Sequence, residues 1–194
     1  MTIVAMWCRH EGDNVIGMGG SIPWSVASDA KHFLDVVAGQ TVVCGRKTYE
    51  SFKDRTLPGC EIFVLTRDEG YAVSDAACHY AVTGLKEISD VVEEKDIYIA
   101  GGAVIYDLFM TGKEKLKPQV VVDCVYDGEM ADLAEEVAEI SVSVKALEKN
   151  YRRISPFYCQ DGVKSAIYLK KGEFVEQKVL KRIVEILEQN AFLA

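Results

Sequence analysis

The sequence predicts an α/β fold in which a mostly parallel sheet is closed by antiparallel strands and followed by a C-terminal helix. Three observations lead to this prediction. Apolar runs of strand length alternate with helical patterns as far as residue 112, which is typical of a parallel sheet. An Asp161-Gly162 pair then separates two strand-like segments, which indicates a hairpin. Residues 174–190 carry apolar side chains at spacings of three and four, as an amphipathic helix does.

The individual elements follow from the length and spacing of the apolar runs. A glycine-rich loop, GDNVIGMGGSIPW, follows the first strand, and a polar turn, RKTYESF, follows the second. The predicted strands are 2–8, 41–45, 61–66, 77–82, 96–102 and 119–127. The predicted helices are 29–37, 84–94, 103–112 and 174–190.

Composition narrows the range of functions. The chain has 194 residues, of which 49% are hydrophobic, and a net charge of -8. This length and composition fit one globular domain with a helical tail. A strongly negative surface repels nucleic acid and anionic lipid, so we expect neither as a partner. No apolar run approaches the roughly 20 residues of a membrane span. The six cysteines form no CxxC pair and lie mostly in apolar runs, so we expect free thiols and a cytoplasmic location.

Basic residues stand at the ends of two predicted strands. Gly45-Arg46-Lys47-Thr48 follows one strand and opens a helical turn, where free backbone N–H groups attract phosphate. Arg67 ends the next strand. Adjacent parallel strands would bring the two arginines together at the carboxyl edge, where ligands bind in such sheets. This pair would suit a phosphate monoester such as the 2′-phosphate of NADPH, although a solvated basic surface is the simpler alternative.

Glycines mark two more turns. Gly101-Gly102 joins a strand to a helix, so the backbone there can approach a ligand closely. The earlier sequence GMGGSI departs from the dinucleotide fingerprint, because Ile22 stands where the third glycine would be. The strand–helix turns at Gly45 and at Gly101-Gly102 together favour a dinucleotide ligand. The GMGGSI loop is either part of the site or a flexible surface loop.

Four stretches together resemble the dihydrofolate reductase family. They are VIGMGGSIPWSVASDAKHF, GRKTYESF, LPG with VLTR, and IAGGAVIYDLF, in the family's order and spacing. The resemblance covers residues 1–171, and it makes residues 172–194 a helical extension beyond the family core. It implies an eight-stranded, mostly parallel sheet with helices on both faces. It also implies reduction of 7,8-dihydrofolate, or a related dihydropterin, by hydride transfer from NADPH.

The resemblance implies roles for individual residues. Asp29 would hold the amidine-like edge of the pterin and promote protonation at N5, and Trp24 would form a wall of the catalytic site. The implied substrate-binding residues are Ile22, Phe33, Phe52, Leu57 and Arg55. The implied cofactor-binding residues are Ile16, Gly17, Gly45, Arg46, Lys47, Thr48, Leu65, Thr66, Arg67, Gly101, Gly102, Ala103, Val104 and Tyr106. No metal is expected, whereas antifolates are expected to bind.

The sequence also departs from the family pattern. Cys60 stands directly after the LPG turn, where the family places an arginine that holds the folate α-carboxylate. Lys53 and Arg55 lie just upstream and could compensate. A reductase acting on a substrate without a glutamate tail, either another pterin or a flavin-pathway pyrimidine, is therefore an alternative. A non-catalytic assembly protein that uses the C-terminal helix is a more distant one.

Four further expectations concern single features. Asp123 is expected to be the neighbour of Asp29 on the strand over 119–127, and His32 is expected to point outward from its helix. The acidic segment 129–139 is read as a solvated helix face. The C-terminal helix is expected either to pack on its own domain, giving a monomer, or to form a homodimer contact.

Overall fold

The computed structural model of the protein describes residues 1–52, 57–75, 77–130, 139–142 and 144–191. The strands are β1 (Ile3–His10), β2 (Val15–Met18), β3 (Thr41–Gly45), β4 (Glu61–Leu65), β5 (His79–Val82), β6 (Ile97–Ile99), β7 (Val120–Tyr126), β8 (Glu139–Ser141), β9 (Tyr151–Arg153), β10 (Tyr158–Gln160) and β11 (Val163–Lys170). The helices are α1 (Ala27–Val37), α2 (Arg46–Ser51), α3 (Leu85–Glu94), α4 (Ala103–Thr111), α5 (Lys145–Asn150) and α6 (Gln177–Ala191).

The main sheet has the predicted mixed, mostly parallel architecture, with nine strands in the described residues rather than the eight that the resemblance implied. Its strand order is β10-β11-β7-β1-β6-β3-β4-β5, and the short strand β9 also pairs with β11. The pairs from β7 through β1, β6, β3 and β4 to β5 are parallel, whereas β11 is antiparallel to β7, β9 and β10. The β10–β11 hairpin turns at Asp161 and Gly162, which both have positive φ, at 50° and 76°. This turn confirms the hairpin signal of the sequence.

Helices cover both faces of the sheet. Successive residues of each strand point to opposite faces, so each strand supplies side chains to both cores. Along β1, Val4 and Met6 belong to a core that includes residues of α1 and α6, whereas Ile3, Ala5 and Trp7 belong to a core that includes residues of α3, α4 and α5. All five side chains are buried. The family-derived expectation of helices on both faces is thus confirmed.

One prediction of local structure was wrong and a second was incomplete. The loop after β1 contains β2, which pairs with β8, a strand more than a hundred residues further along the chain. The polar turn after β3 is the short helix α2. A pairing between distant segments leaves no local periodicity, and α2 lacks a long apolar stripe that would have marked it as a helix.

The C-terminal helix packs on its own domain. Val179, Ile183 and Leu187 are buried in the core that also contains Val36 and Val37 of α1. No helix in the described ranges is long and apolar enough to cross a membrane. All six cysteines are free, as predicted. Most of the acidic segment 129–139 lies outside the described residues.

Candidate active site

Asp29 lies in the first turn of α1 and is 8% exposed. Partial positive charge at the start of a helix favours a carboxylate at this position. The indole Nε1 of Trp24 donates a hydrogen bond to Asp29 Oδ2 over 3.3 Å. Trp24 is itself buried, and its ring lies 5.2 Å from the ring of Tyr126. The structure therefore brings together the two residues that were predicted to be catalytic.

Two thiols border Asp29, and the sequence analysis had missed them. Cys8 and Cys124 are directly paired on β1 and β7, and the Cys8 thiol donates a hydrogen bond to Asp29. Burial first, and then the nearby Asp29 carboxylate, raise the pKa of both thiols well above the usual range. Both cysteines are therefore neutral near pH 7, and Cys8 is a hydrogen-bond donor to the carboxylate.

Asp123 is not the neighbour of Asp29 that the sequence suggested. Its carboxylate accepts hydrogen bonds from Trp7 Nε1 at 2.6 Å and from Arg9 Nε and Nη2, both at 2.9 Å. Because alternate residues of a strand point to opposite faces, Cys124 rather than Asp123 points toward Asp29. Alternation along β7 separates Asp123 from Cys124, but the packing of the whole sheet decides which of the two faces α1.

An aromatic pair that begins one turn after Asp29 on α1 marks the surface that we call the aromatic groove. Phe33 of α1 and Phe52, which follows α2, stack with ring centroids 5.8 Å apart and an interplanar angle of 22°. Leu57 is buried in the same core, whereas Ile22 is 49% exposed on the loop before α1. Arg55, also predicted to bind substrate, lies outside the described residues, as does Lys53.

His32 differs from the expectation that it points outward, and Cys60 is the buried thiol that the sequence suggested. His32 is fully buried rather than pointing outward, and its Nε2 lies 3.2 Å from Gln160 Oε1 of β10. Burial lowers the pKa of this imidazole. Cys60 is also buried, and its thiol donates to the carbonyl of Val37 over 3.0 Å. The side chain at position 60 is thus turned into the protein.

The glycine turns after β3 and β6 meet at the carboxyl edge of the sheet. The N–H of Gly45 donates to the carbonyl of Gly101 over 2.7 Å. A Cβ at Gly102 would lie 3.3 Å from Thr48 Oγ1, and one at Gly101 would lie 3.1 Å from the hydroxyl of Tyr106. Tyr106 is buried and donates to the carbonyl of Met6 at 2.5 Å. Any larger residue would crowd these turns, so the backbone remains open to a ligand.

The predicted basic residues lie on the same edge. Gly45 pairs with Leu65 in the β3–β4 register, which places Arg46 and Arg67 at the ends of adjacent strands. Both arginines are exposed, as is Lys47, whereas Thr66 is buried. Arg46 Nη1 forms an ion pair with Glu50 at 3.2 Å.

The remaining predicted cofactor residues flank these turns. Ala103 and Val104 form the first turn of α4, and Val104 is 79% exposed. Ile16 and Gly17 lie in β2, next to the irregularity in its pairing with β8. The structure thus groups the two glycine turns with the residues that flank them on α2 and α4, while β2 belongs to a separate two-stranded sheet.

One cluster of potential metal ligands lies elsewhere among the described residues. The ligand atoms of Asp75, Cys78 and His79 all lie within 4.8 Å of one another, where the chain enters β5. Asp75 already accepts hydrogen bonds from the N–H of Ala77 and the thiol of Cys78. None of the three residues was predicted to form part of the site.

A parallel sheet with joined glycine turns at its carboxyl edge, near one buried carboxylate, is an arrangement in which α/β proteins bind nucleotides. Comparison with known proteins defines the class more closely. The sequence model described as dihydrofolate reductase matches residues 2–136. The chain belongs to the dihydrofolate reductase family.

Individual relatives agree with this assignment. The dihydrofolate reductase of Lactococcus lactis subsp. lactis is 36% identical over 121 residues, covering 61% of this chain and 71% of that protein. The enzyme of Mycobacterium tuberculosis H37Rv is 34% identical over 110 residues, 56% of this chain and 65% of that one.

A solved structure supports the fold. The dihydrofolate reductase of Enterococcus faecalis, complexed with NADP(H) and RAB-propyl, aligns with a TM-score of 0.70 over 88% of this chain and 96% of that chain. At 20% sequence identity, this likeness bears on the fold alone.

Proposed function

We propose that the protein reduces 7,8-dihydrofolate to tetrahydrofolate with NADPH, the activity of its family, and that the residues grouped above carry it out. The observation that carries the proposal is the position of Asp29. It is a buried carboxylate at a helix start that faces an aromatic groove and receives donors from Trp24 and Cys8. A carboxylate in such a place can accept two parallel N–H donors from the pterin edge.

Proton delivery is the role proposed for this carboxylate. Reduction adds one hydride to carbon and one proton to N5 across a C=N bond of the pterin. Asp29, by holding the amidine edge, fixes the ring and favours its protonated form. Trp24 orients the carboxylate, and the groove formed by Phe33, Phe52 and Leu57 keeps water away from the ring. Ile22 would cover the site from the loop before α1.

NADPH, when bound, supplies the hydride. The turns at Gly45 and at Gly101-Gly102 suit a dinucleotide because glycine leaves the backbone there free for close approach, and a Cβ would be tight against Ile105, Tyr106 or Thr48. The open backbone and the N-terminus of α4 suit the diphosphate. We assign the 2′-phosphate to Arg46 and Arg67, with Lys47, Thr48 and Thr66 beside them. Leu65, Ala103, Val104, Ile16 and Gly17 would line the rest of the cofactor site.

The preference for NADPH over NADH tests the cofactor part of the proposal. Arg46→Gln and Arg67→Gln each remove a cation at the proposed phosphate site, so we expect KM for NADPH to rise about 10- to 100-fold. KM for NADH should change little. Arg152→Gln, an exposed arginine on β9, is the matched control. If both variants kept the wild-type preference, the phosphate site would lie elsewhere.

Cys60 favours one alternative. Its buried thiol cannot pair with a carboxylate as an arginine would, so a pterin without a glutamate tail is the second candidate substrate. Antifolates with an amidine edge should bind at Asp29 in either case. We further propose a cytoplasmic monomer, since the thiols are free and the apolar face of α6 is covered by its own domain.

A further inference from the structure

The C-terminal end of α1 is held by a cation from the helical extension. Arg182 of α6 donates through Nη2 to the carbonyls of Asp35 at 3.0 Å, Val36 at 3.3 Å and Ala38 at 2.9 Å. The thiol of Cys60 donates to the carbonyl between them, that of Val37. The last carbonyls of a helix have no partners within it and carry partial negative charge, which favours a guanidinium there.

This end of α1 lies further along the same helix that carries Asp29. A rise of about 1.5 Å per residue places Asp35 about 9 Å, and Ala38 about 14 Å, along the helix from Asp29. Phe33 lies between them and faces Phe52 across the groove. A substrate whose pterin is held at Asp29 and whose benzoyl ring lies by Phe33 would extend toward the C-terminal end of α1.

The charge of Arg182 is not neutralised by a carboxylate. None of the ion pairs among the described residues includes Arg182. Its guanidinium donates to three uncharged carbonyls and also bonds to the hydroxyl of Tyr98. Its Nε is buried without a hydrogen-bond acceptor in the described part of the chain. The side chain as a whole is half-buried. In a protein with a net charge of -8, a cation that is not paired with a carboxylate favours the binding of an anionic substrate end.

Arg182 also lies close to position 60. Burial raises the pKa of the Cys60 thiol, and the positive charge of Arg182 opposes that rise. The cation and the thiol therefore share one end of α1, although they belong to segments more than a hundred residues apart. The helix that carries Arg182 lies beyond residues 2–136, which the model of the family matches.

We propose that α6 delivers Arg182 to bind the carboxylate end of dihydrofolate, so that the helical extension supplies the cation that position 60 lacks. The inference rests on the proposed function. Arg182 acts as a specificity-determining residue: it contacts the benzoylglutamate tail and takes no part in the transfer of hydride or proton.

Steady-state kinetics with two substrates test this proposal. Dihydrofolate carries the two carboxylates of its glutamate tail, whereas dihydropteroate has the same pterin and ends earlier, in a benzoate carboxylate. Arg182→Gln should raise KM for dihydrofolate about 10- to 100-fold, because a charge-assisted hydrogen bond is lost. It should leave KM for dihydropteroate, and kcat for both substrates, within about twofold. Arg182→Lys, which keeps the charge but loses the planar fork, should be intermediate.

Controls separate the possible outcomes. Lys181→Gln, on the same helix and exposed, should behave as wild type with both substrates. If Arg182→Gln and Arg182→Lys raised KM equally for the two substrates, Arg182 would only cap α1, and the proposal would be overturned. The proposal would also be overturned if Arg55→Gln, and not the Arg182 variants, raised KM for dihydrofolate without raising KM for dihydropteroate. Failure of the wild-type protein to reduce either substrate would instead contradict the proposed function.

Discussion

At the scale of single residues, Gly101 shows how a missing side chain would shape the proposed cofactor site. Its φ is +99°, and a Cβ there would lie within 3.1 to 3.3 Å of three atoms of Tyr106. Gly172 also has a positive φ, of +83°, but a Cβ there would meet nothing within 4 Å. A substitution at either glycine would therefore strain the backbone, but only a substitution at Gly101 would also crowd a neighbouring side chain.

Gly101→Ala and Gly172→Ala separate these two effects. Each should lower the free energy of unfolding by about 1–2 kcal/mol through the positive φ. Gly101→Ala should lower the free energy of unfolding further than Gly172→Ala does, because Tyr106 must move. Only Gly101→Ala should weaken NADPH binding. Chemical denaturation and titration of NADPH fluorescence would measure both quantities. Equal NADPH affinity in the two variants would remove the Gly101 turn from the cofactor site.

The sequence was informative about some of these residues and silent about others. Asp29, Trp24 and the glycine turns could be predicted because each lies in a local pattern of fixed spacing. Cys8, Cys124 and Arg182 could not, because they reach α1 only through strand register or through the packing of α6. Asp123 was misplaced for the same reason: which face of β7 meets α1 depends on the whole sheet.

At the scale of elements, α6 is part of the core rather than an appendage. Ile183 is fully buried between Val179 and Leu187, which are also buried. Lys31 and Asp35 of α1 both bond to Asn190 at the other end of α6. The apolar spacing of this helix was clear from the sequence, but its position against α1 was not, because periodicity identifies the buried face without identifying what covers it.

Ile183→Ala tests this packing. Removing a fully buried branched side chain should lower the free energy of unfolding by about 2–5 kcal/mol. Lys181→Ala, at an exposed position of the same helix, should change it by no more than about 0.5 kcal/mol. Urea denaturation followed by circular dichroism would compare the two variants. A negligible effect of Ile183→Ala would mean that α6 is not packed on α1 in solution.

At the scale of the whole molecule, the alternation of strands and helices was sufficient to predict the fold. It predicted the parallel sheet and the closing hairpin, because both depend on local periodicity and turn residues. The small β2–β8 sheet and the strand β9 were not predicted, since each consists of only a few residues and depends on distant partners. The candidate site lies where parallel sheets of this kind bind ligands, at the carboxyl ends of the strands.

The central claim is that Asp29 holds the pterin while NADPH, bound at the glycine turns, reduces it. NADPH oxidation in the presence of dihydrofolate tests this claim most directly. Asp29→Asn keeps the shape of the side chain but removes its charge, so kcat should fall about 100-fold or more at neutral pH. NADPH affinity should be unchanged, and Asp90→Asn, an exposed position on α3, should match wild type. Wild-type turnover in Asp29→Asn would contradict the account.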